Sequence, residues 1–204
     1  AWEKNEQSYQ TSSSGGAATA FSRYILKLGG VVYGCAVQEG RVEHIRVVEE
    51  KDLMLLKGSK YVQSFISETL LIQLKQDLLN GLNVLFVGTP CQVSGVRSFL
   101  KNTYDNLYLV DIVCHGVPSS DLFSAYIKGK IGSNMIIGRI NFRDNQQYKL
   151  SVFGLDGKLL YSKKMPDDLY YVGFMRRLLF RDSCYQCRYA QEKRISDITV
   201  GDFW

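Results

Sequence analysis

Five cysteines punctuate this chain of 204 residues, and four of them stand where sulfur chemistry is usually done. Cys91 ends the run NVLFVGTPC and Cys114 follows LYLVDIV, each just after a strongly apolar, strand-like segment. Cys184 and Cys187 form a CxxC inside the basic stretch RDSCYQCRYAQEKR. Four thiolates, two of them from one CxxC, make a tetrahedral set for an iron–sulfur cluster or for zinc. The CxxC alone can also cycle as a dithiol. A thioredoxin-like motif, however, opens a helix after an early strand, and this one lies late in a basic loop. Cys35, within VVYGCAV, reads as a small buried hydrophobe.

Other polar residues have candidate roles beside a plain structural one. TSSSGG (Thr11–Gly16) precedes a helical pattern. Small residues let the backbone approach a ligand, and free N–H groups at a helix start attract anions. Ser13, Ser14, Gly15 and Gly16 can therefore cradle a pyrophosphate such as that of a flavin; the plainer reading makes Ser13 or Ser14 the N-cap. Lys60, in KGSKYVQ, can pair with a phosphate or carboxylate. His115, beside Cys114, can donate a proton or orient a ligand. His44 alternates with the apolar residues of VEHIRVV, which predicts an exposed strand position, and Asp202 in GDFW reads as a strand-end residue. Neither GxGxxG nor the Walker pattern GxxxxGKS/T occurs.

The elements that must position these residues follow from periodicity. Ala17, Phe21, Tyr24, Ile25 and Leu28 line one helix face, and Gly29–Gly30 stops it. GVVYGCAV and VEHIRVV read as strands joined at Glu39–Gly40, and Asp52–Leu56 as a short helix. Ile66, Leu70, Leu74 and Leu78 recur every four residues, predicting a helix over 66–80 ended by Gly81. NVLFV and residues 107–113 are continuous apolar strands of the kind buried in a parallel sheet. With a helix over 91–101 they make a strand–helix–strand unit, which favours a right-handed crossover. Residues 119–130 read as helix; IGRINFRD, KLSVFGLDGKLLYS and DITVGDF read as strands, with LDGK a hairpin turn. A helix over 168–180 leads to the CxxC.

The expected fold is α/β: a mixed, largely parallel sheet with helices on both faces, a late β-hairpin and a cysteine-containing loop, all in one domain over 1–204. In such sheets ligands gather outside the carboxyl ends of the strands. Pro90 suits a first helical position, which sets Cys91 at a helix N-terminus where a thiolate is stabilised.

Composition narrows the function classes. An apolar content of 46% with 12% aromatic residues suits a globular chain. No apolar run reaches the ~20 residues that span a bilayer. Ala1–Gln10 is polar and carries no signal-peptide core. These features predict a cytoplasmic protein with reduced thiols. Net charge is +5, concentrated at Arg176, Arg177, Arg181, Arg188, Lys193 and Arg194. Such a face is either plainly solvated or a docking surface for an anionic ligand or an acidic electron carrier. No nucleic-acid motif accompanies it, and no nucleic-acid partner is expected. The missing initial methionine and the ending at GDFW predict a piece of a longer chain.

Taken in order, SSSGGAATAF, GGVVYGCAV, LKGSKYVQS, VLFVGTPCQVSGV, LVDIVCHGVPS, INFRD, CYQCRYA and SDITVGDFW resemble the beta-subunit family of coenzyme F420 hydrogenases and dehydrogenases. The resemblance covers almost the whole chain. It implies an oxidoreductase that holds FAD and a 4Fe-4S cluster and passes electrons between the cluster and a two-electron substrate at the flavin. The positions matching the cluster motifs are Cys91, Cys114, Cys184 and Cys187. The flavin region implied is Ser13, Ser14, Gly15 and Gly16, the loop Ser59, Lys60 and Tyr61, and the turn Gly88–Thr89; Lys60 and His115 are the candidates for catalysis. The implied partners are a ferredoxin-like electron donor, as module or separate protein, and an anionic small molecule or deazaflavin. Two rivals stand beside this reading: a zinc-stabilised, non-catalytic scaffold protein from a polysaccharide biosynthesis locus, and a thiol oxidoreductase working through its CxxC.

Overall fold

The computed structural model of the chain describes residues 15–144 and 147–201; Ser13, Ser14 and Asp202 lie outside them. In chain order the elements are α1 (Ala17–Lys27), β1 (Val31–Gln38), β2 (Arg41–Val47), a 3-10 turn (Glu50–Asp52) running into α2 (Leu53–Leu56), α3 (Glu68–Leu79), β3 (Val84–Gly88) and α4 (Pro90–Leu100). There follow β4 (Leu107–Ile112), α5 (Ser120–Ile131), β5 (Ile137–Asp144), β6 (Gln147–Gly154), β7 (Leu159–Lys164), α6 (Leu169–Met175), the helical turn α7 (Asp182–Tyr185) and β8 (Ile198–Val200).

The main sheet has the order β2-β1-β3-β4-β8. Only β1–β2 is antiparallel; the other three pairs are parallel. Strand alternation gives each face its own core. Tyr33, Phe86 and Leu109 meet Leu74 and Leu78 of α3 and Val93, Val96 and Leu100 of α4. Val32, Leu85 and Val110 point the other way, onto Ile25 of α1 and Leu53 of α2. Each such side chain contributes ~1.5–3 kcal/mol on burial, so helices cover both faces as the apolar runs require. One polar knot sits in the first core. The buried Tyr33 hydroxyl donates to Asp77 at 2.6 Å, and Arg46 grips the same carboxylate at 2.7 and 3.0 Å. Burial pulls that carboxyl up, but the bonds from Arg46, Tyr33 and Gln73 outweigh it and hold it below the usual range.

The late hairpin is part of a separate antiparallel sheet, β5-β6-β7. The turn foreseen at LDGK is there, closed by Gly154 N–H donating to Lys158 O at 2.9 Å. This sheet packs its apolar face with Phe123 and Ile127 of α5 and Tyr170 and Tyr171 of α6.

Two boundaries differ from expectation. The helix foreseen over 168–180 stops at Met175, because the chain reverses at Arg177 (φ 59°) and Leu178 N–H bonds back to Gly173 O at 2.8 Å. Gly173 permits this: a Cβ there would sit 2.6 Å from the Leu179 side chain. The residue before α1 is Gly16, with no side-chain cap, rather than one of the serines.

Candidate functional site

The parallel pairing of β3 with β4 places Gly88 opposite Asp111, so both strands end at one edge of the sheet. Cys91 lies there in the first turn of α4, behind Thr89 and Pro90. Cys114 lies two residues beyond β4. The CxxC reaches the same edge on a strap over residues 180–200. Arg181 N–H donates to Val117 O at 3.0 Å, Cys184 N–H to Arg181 O at 2.8 Å, and the Cys184 thiol lies 3.9 Å from Val117 O. Phe180 lies so close over the loop after Cys114 that a Cβ on Gly116 (φ 119°) would come within 2.4 Å of its ring. Glycine is the residue that this combination of left-handed backbone and close approach admits.

Beyond the CxxC the strap is tied to both strand–helix units. Tyr189 Oη donates to Ser94 Oγ on α4 at 2.9 Å. Arg194 pairs with the fully buried Asp111 at 3.0 Å. Asp197 takes the Leu109 N–H at 2.7 Å and returns its own N–H to Leu109 O at 2.9 Å. From there β8 pairs with β4. Nothing in the sequence pattern pointed to Asp111, Ser94 or Asp197. Asp111 sits in an apolar strand, and a charge at such a position is the signal that a buried partner is needed.

The thiols meet electrostatically. Burial pushes the Cys114 thiol up, the Gly116 N–H offsets this in part, and Cys91, Cys184 and Cys187 push it up further. All five cysteines are free; Cys91 is exposed and the others are half-buried. Among the described residues, no group of three or more His, Cys, Asp or Glu side chains is arranged to hold a metal ion. The four thiols thus fit a cluster in donor chemistry and in neighbourhood, without forming a closed ligand shell around one point.

The remaining candidates are placed unevenly. Gly15 and Gly16 open α1, which leads directly into β1, so its start faces the carboxyl edge. Gly88 is buried at the end of β3, and Thr89 bonds through both its N–H (2.9 Å) and its hydroxyl (3.0 Å) to Gln92 Oε1. Lys60 turns inward: its ammonium donates to the carbonyls of Leu56 and Lys57, both at 2.8 Å, closing the end of α2. Burial pushes it down to about 8. A phosphate-pairing role requires those bonds to break. The Tyr61 ring packs among Phe142, Tyr148, Tyr171 and Phe174, and its hydroxyl takes Arg143 Nε at 2.6 Å. Burial raises the Tyr61 phenol, and Ser59 and Arg143 offset part of that. His115 stands exposed between Phe174 and Phe180, its pKa lowered by burial and then by Arg177.

His44 corrects the sequence reading: it is buried, 5% exposed, and stacked on Phe86 at 5.1 Å. Backbone bonds on either side of Phe65 (to Val42 and His44) cover this strand edge. Burial pushes the imidazole down from 6.5 to about 4. The unfolded chain takes up that proton below pH 6.5 while the folded chain refuses it until about pH 4. Stability therefore falls by about 3 kcal/mol as pH drops through this window, and is flat above it. Urea midpoints measured between pH 7 and pH 4 should show this slope, and His44→Gln should lose most of it, keeping the part that His115 contributes in the same direction.

No helix among the described residues is long and apolar enough to cross a membrane. Residues 81–203 match the family model for the C-terminal part of the coenzyme F420 hydrogenase/dehydrogenase beta subunit, a span that includes all four strap and strand-end cysteines. No curated protein matches the chain. Among solved structures, the chain is similar to one from the F420-reducing NiFe hydrogenase complex of Methanosarcina barkeri, with a TM-score of 0.57 at 16% identity. The similarity covers 91% of this chain and 63% of that one, so this chain spans less than two thirds of that relative's length. At this identity the likeness speaks for the fold. The family match covers more than half of the chain, which belongs to the coenzyme F420 hydrogenase/dehydrogenase beta-subunit family.

Proposed function

We propose that the chain is a single redox domain of an iron–sulfur flavoprotein, passing electrons between a 4Fe-4S cluster and a two-electron substrate through FAD. The observation that carries this reading is the convergence of Cys91, Cys114, Cys184 and Cys187 at the carboxyl edge of β3 and β4, where the Cys114 thiol feels the other three. Cys91 would hold the cluster from the start of α4, Cys114 from the exit of β4, and the CxxC from the strap. FAD, when bound, supplies the exchange between one-electron traffic and hydride-type transfer.

The chain's own residues divide the remaining work. The Gly15–Gly16 turn, where the N-cap residue Gly16 supplies no side-chain cap, suits the pyrophosphate. Lys60 and Tyr61 serve as the fixed wall behind that region, since their polar atoms already have partners. His115, exposed and biased toward the neutral form, can pass a proton near the cluster edge. Arg176, Arg177, Arg181, Arg188 and Lys193 are exposed, whereas Arg194 is drawn into its pair with Asp111. The five exposed cations suit a ferredoxin-like donor or an anionic substrate such as a deazaflavin. The setting is a cytoplasmic one, where the free thiols stay reduced.

The test is iron, acid-labile sulfide and flavin per chain after anaerobic reconstitution of the full-length protein. About four irons with matching sulfide, together with bound flavin, is the expected result. One equivalent of zinc without iron or flavin would replace this reading with that of a zinc-stabilised scaffold.

A further inference from the structure

A continuous hydrogen-bond chain runs from the buried His44 to the sulfur of Cys91. His44 Nε2 lies 3.1 Å from Val87 O, and its Nδ1 lies 3.1 Å from Ser64 Oγ. Ser64 Oγ and its carbonyl oxygen lie 2.8 and 3.2 Å from Gln92 Nε2. Gln92 Oε1 takes the N–H and the hydroxyl of Thr89, and Thr89 Oγ1 lies 3.2 Å from Cys91 Sγ. These contacts join the strand edge at β2, the loop before α3 and the first turn of α4.

The chain has one possible direction. Val87 O can only accept, so His44 Nε2 carries the proton. The imidazole is neutral at ordinary pH, which leaves Nδ1 an acceptor and gives it the Ser64 proton. The Ser64 carbonyl can only accept and the Thr89 N–H can only donate, so both ends of the Gln92 amide are fixed independently. Gln92 thus presents its oxygen to Thr89 and cannot turn round without unpairing these half-buried groups at both of its ends. Thr89 N–H keeps that oxygen satisfied whatever the Thr89 hydroxyl does. The hydroxyl is therefore free to exchange partners: it lies 3.0 Å from Gln92 Oε1 and 3.2 Å from Cys91 Sγ, and can donate to the sulfur when Cys91 serves as a ligand.

We infer that Thr89, held by the Gln92–Ser64–His44 chain, is a positioning residue that donates a hydrogen bond to the Cys91 thiolate and so sets the potential of the group that Cys91 ligates. This rests on the cluster reading above. A donor to a ligand sulfur disperses its charge and favours the reduced cluster. Losing it lowers the midpoint potential.

The test uses full-length protein reconstituted with iron and sulfide, with Thr89→Val, Thr89→Ser and Ser64→Ala. Thr89→Val should keep full iron and shift the midpoint downward by about a tenfold change in the reduction equilibrium, or 59 mV for one electron. Thr89→Ser, which restores the hydroxyl, should return the parent value, and Ser64→Ala should shift in the same direction by less. An unchanged midpoint in Thr89→Val at full iron overturns the inference, as does a shift that serine fails to rescue. The direction of the chain is read separately by nitrogen-15 NMR of metal-free protein: a His44 proton on Nε2 is expected, and one on Nδ1 overturns it. Parent protein that takes up no iron removes the cluster reading and the potential-setting role with it, while the NMR result still decides the direction of the chain.

Discussion

Serine in place of Cys114 should leave the anaerobically reconstituted protein without iron–sulfur absorption, whereas the parent acquires it. Cys114 is the thiol on which the other three act, and its loop leaves β4 and meets the strap at Val117 O. Serine keeps the size of the side chain but offers iron a hard, poorly ionised oxygen in place of a soft thiolate. The fold should survive, because Cys114 is half-buried and belongs to none of the three hydrophobic cores. Unfolding free energy should move by no more than about 1 kcal/mol. Cys35→Ser is the matched control. Its sulfur packs against the second core, and burial pushes the thiol up. There serine should cost about 1–3 kcal/mol while iron content stays at the parent level. Iron and sulfide analysis beside urea unfolding separates the two outcomes. Full iron in Cys114→Ser removes this residue from the ligand set; iron lost equally in both variants reduces the effect to general destabilisation.

The contrast between these two cysteines shows what the sequence could carry. Cys91 and Cys114 were legible because each follows a long apolar run, and consecutive parallel strands of one strand–helix–strand unit must end at the same edge. Ile66, Leu70, Leu74 and Leu78 gave α3 by spacing alone, and LDGK gave the turn between β6 and β7. His44 was misread for a physical reason: alternation in a strand separates two faces but says nothing about what covers each. The backbone near Phe65 lies along that edge, and Phe86 stacks on the ring. The helix beyond Met175 was overextended because RRLLF is a good helical sequence locally. The reversal depends on Leu179 folding over Gly173, a tertiary contact. Gln92 and Ser64 carried no signal, since a polar residue at a helix start reads as a surface one until its partner 28 residues away is placed.

The strap makes the strongest link between stability and the site. Asp111 is fully buried, and among the described residues neither carboxylate oxygen has a hydrogen-bond donor; Arg194 stands 3.0 Å from Oδ1, off the line of a hydrogen bond. Arg194 also bonds to Thr199 Oγ1 at 3.2 Å and Ile112 O at 3.4 Å, so one guanidinium pins β8 and the strap to β4. Arg194→Ala should therefore destabilise by about 3–5 kcal/mol, because it leaves a buried carboxylate uncompensated. At roughly 2–4 °C per kcal/mol for a domain of this size, Tm should fall by about 10 °C. Replacing both partners, Asp111→Leu with Arg194→Leu, should restore most of that loss, since a matched apolar pair carries no desolvated charge. A change in Arg194→Ala within about 0.5 kcal/mol of the parent would show that the pair holds nothing. The two variants should also part in cluster retention. Arg194→Ala frees the strap that carries Cys184 and Cys187 and should lose iron faster under a chelator, and the double variant, with a stable core but no guanidinium to tie β8 to Ile112, should still lose it faster than the parent. Arg177→Ala removes an exposed cation but keeps the backbone carbonyl that takes the Tyr185 hydroxyl of the strap at 2.6 Å, and it should lose iron at the parent rate. Retention would then follow the tether and not the net charge.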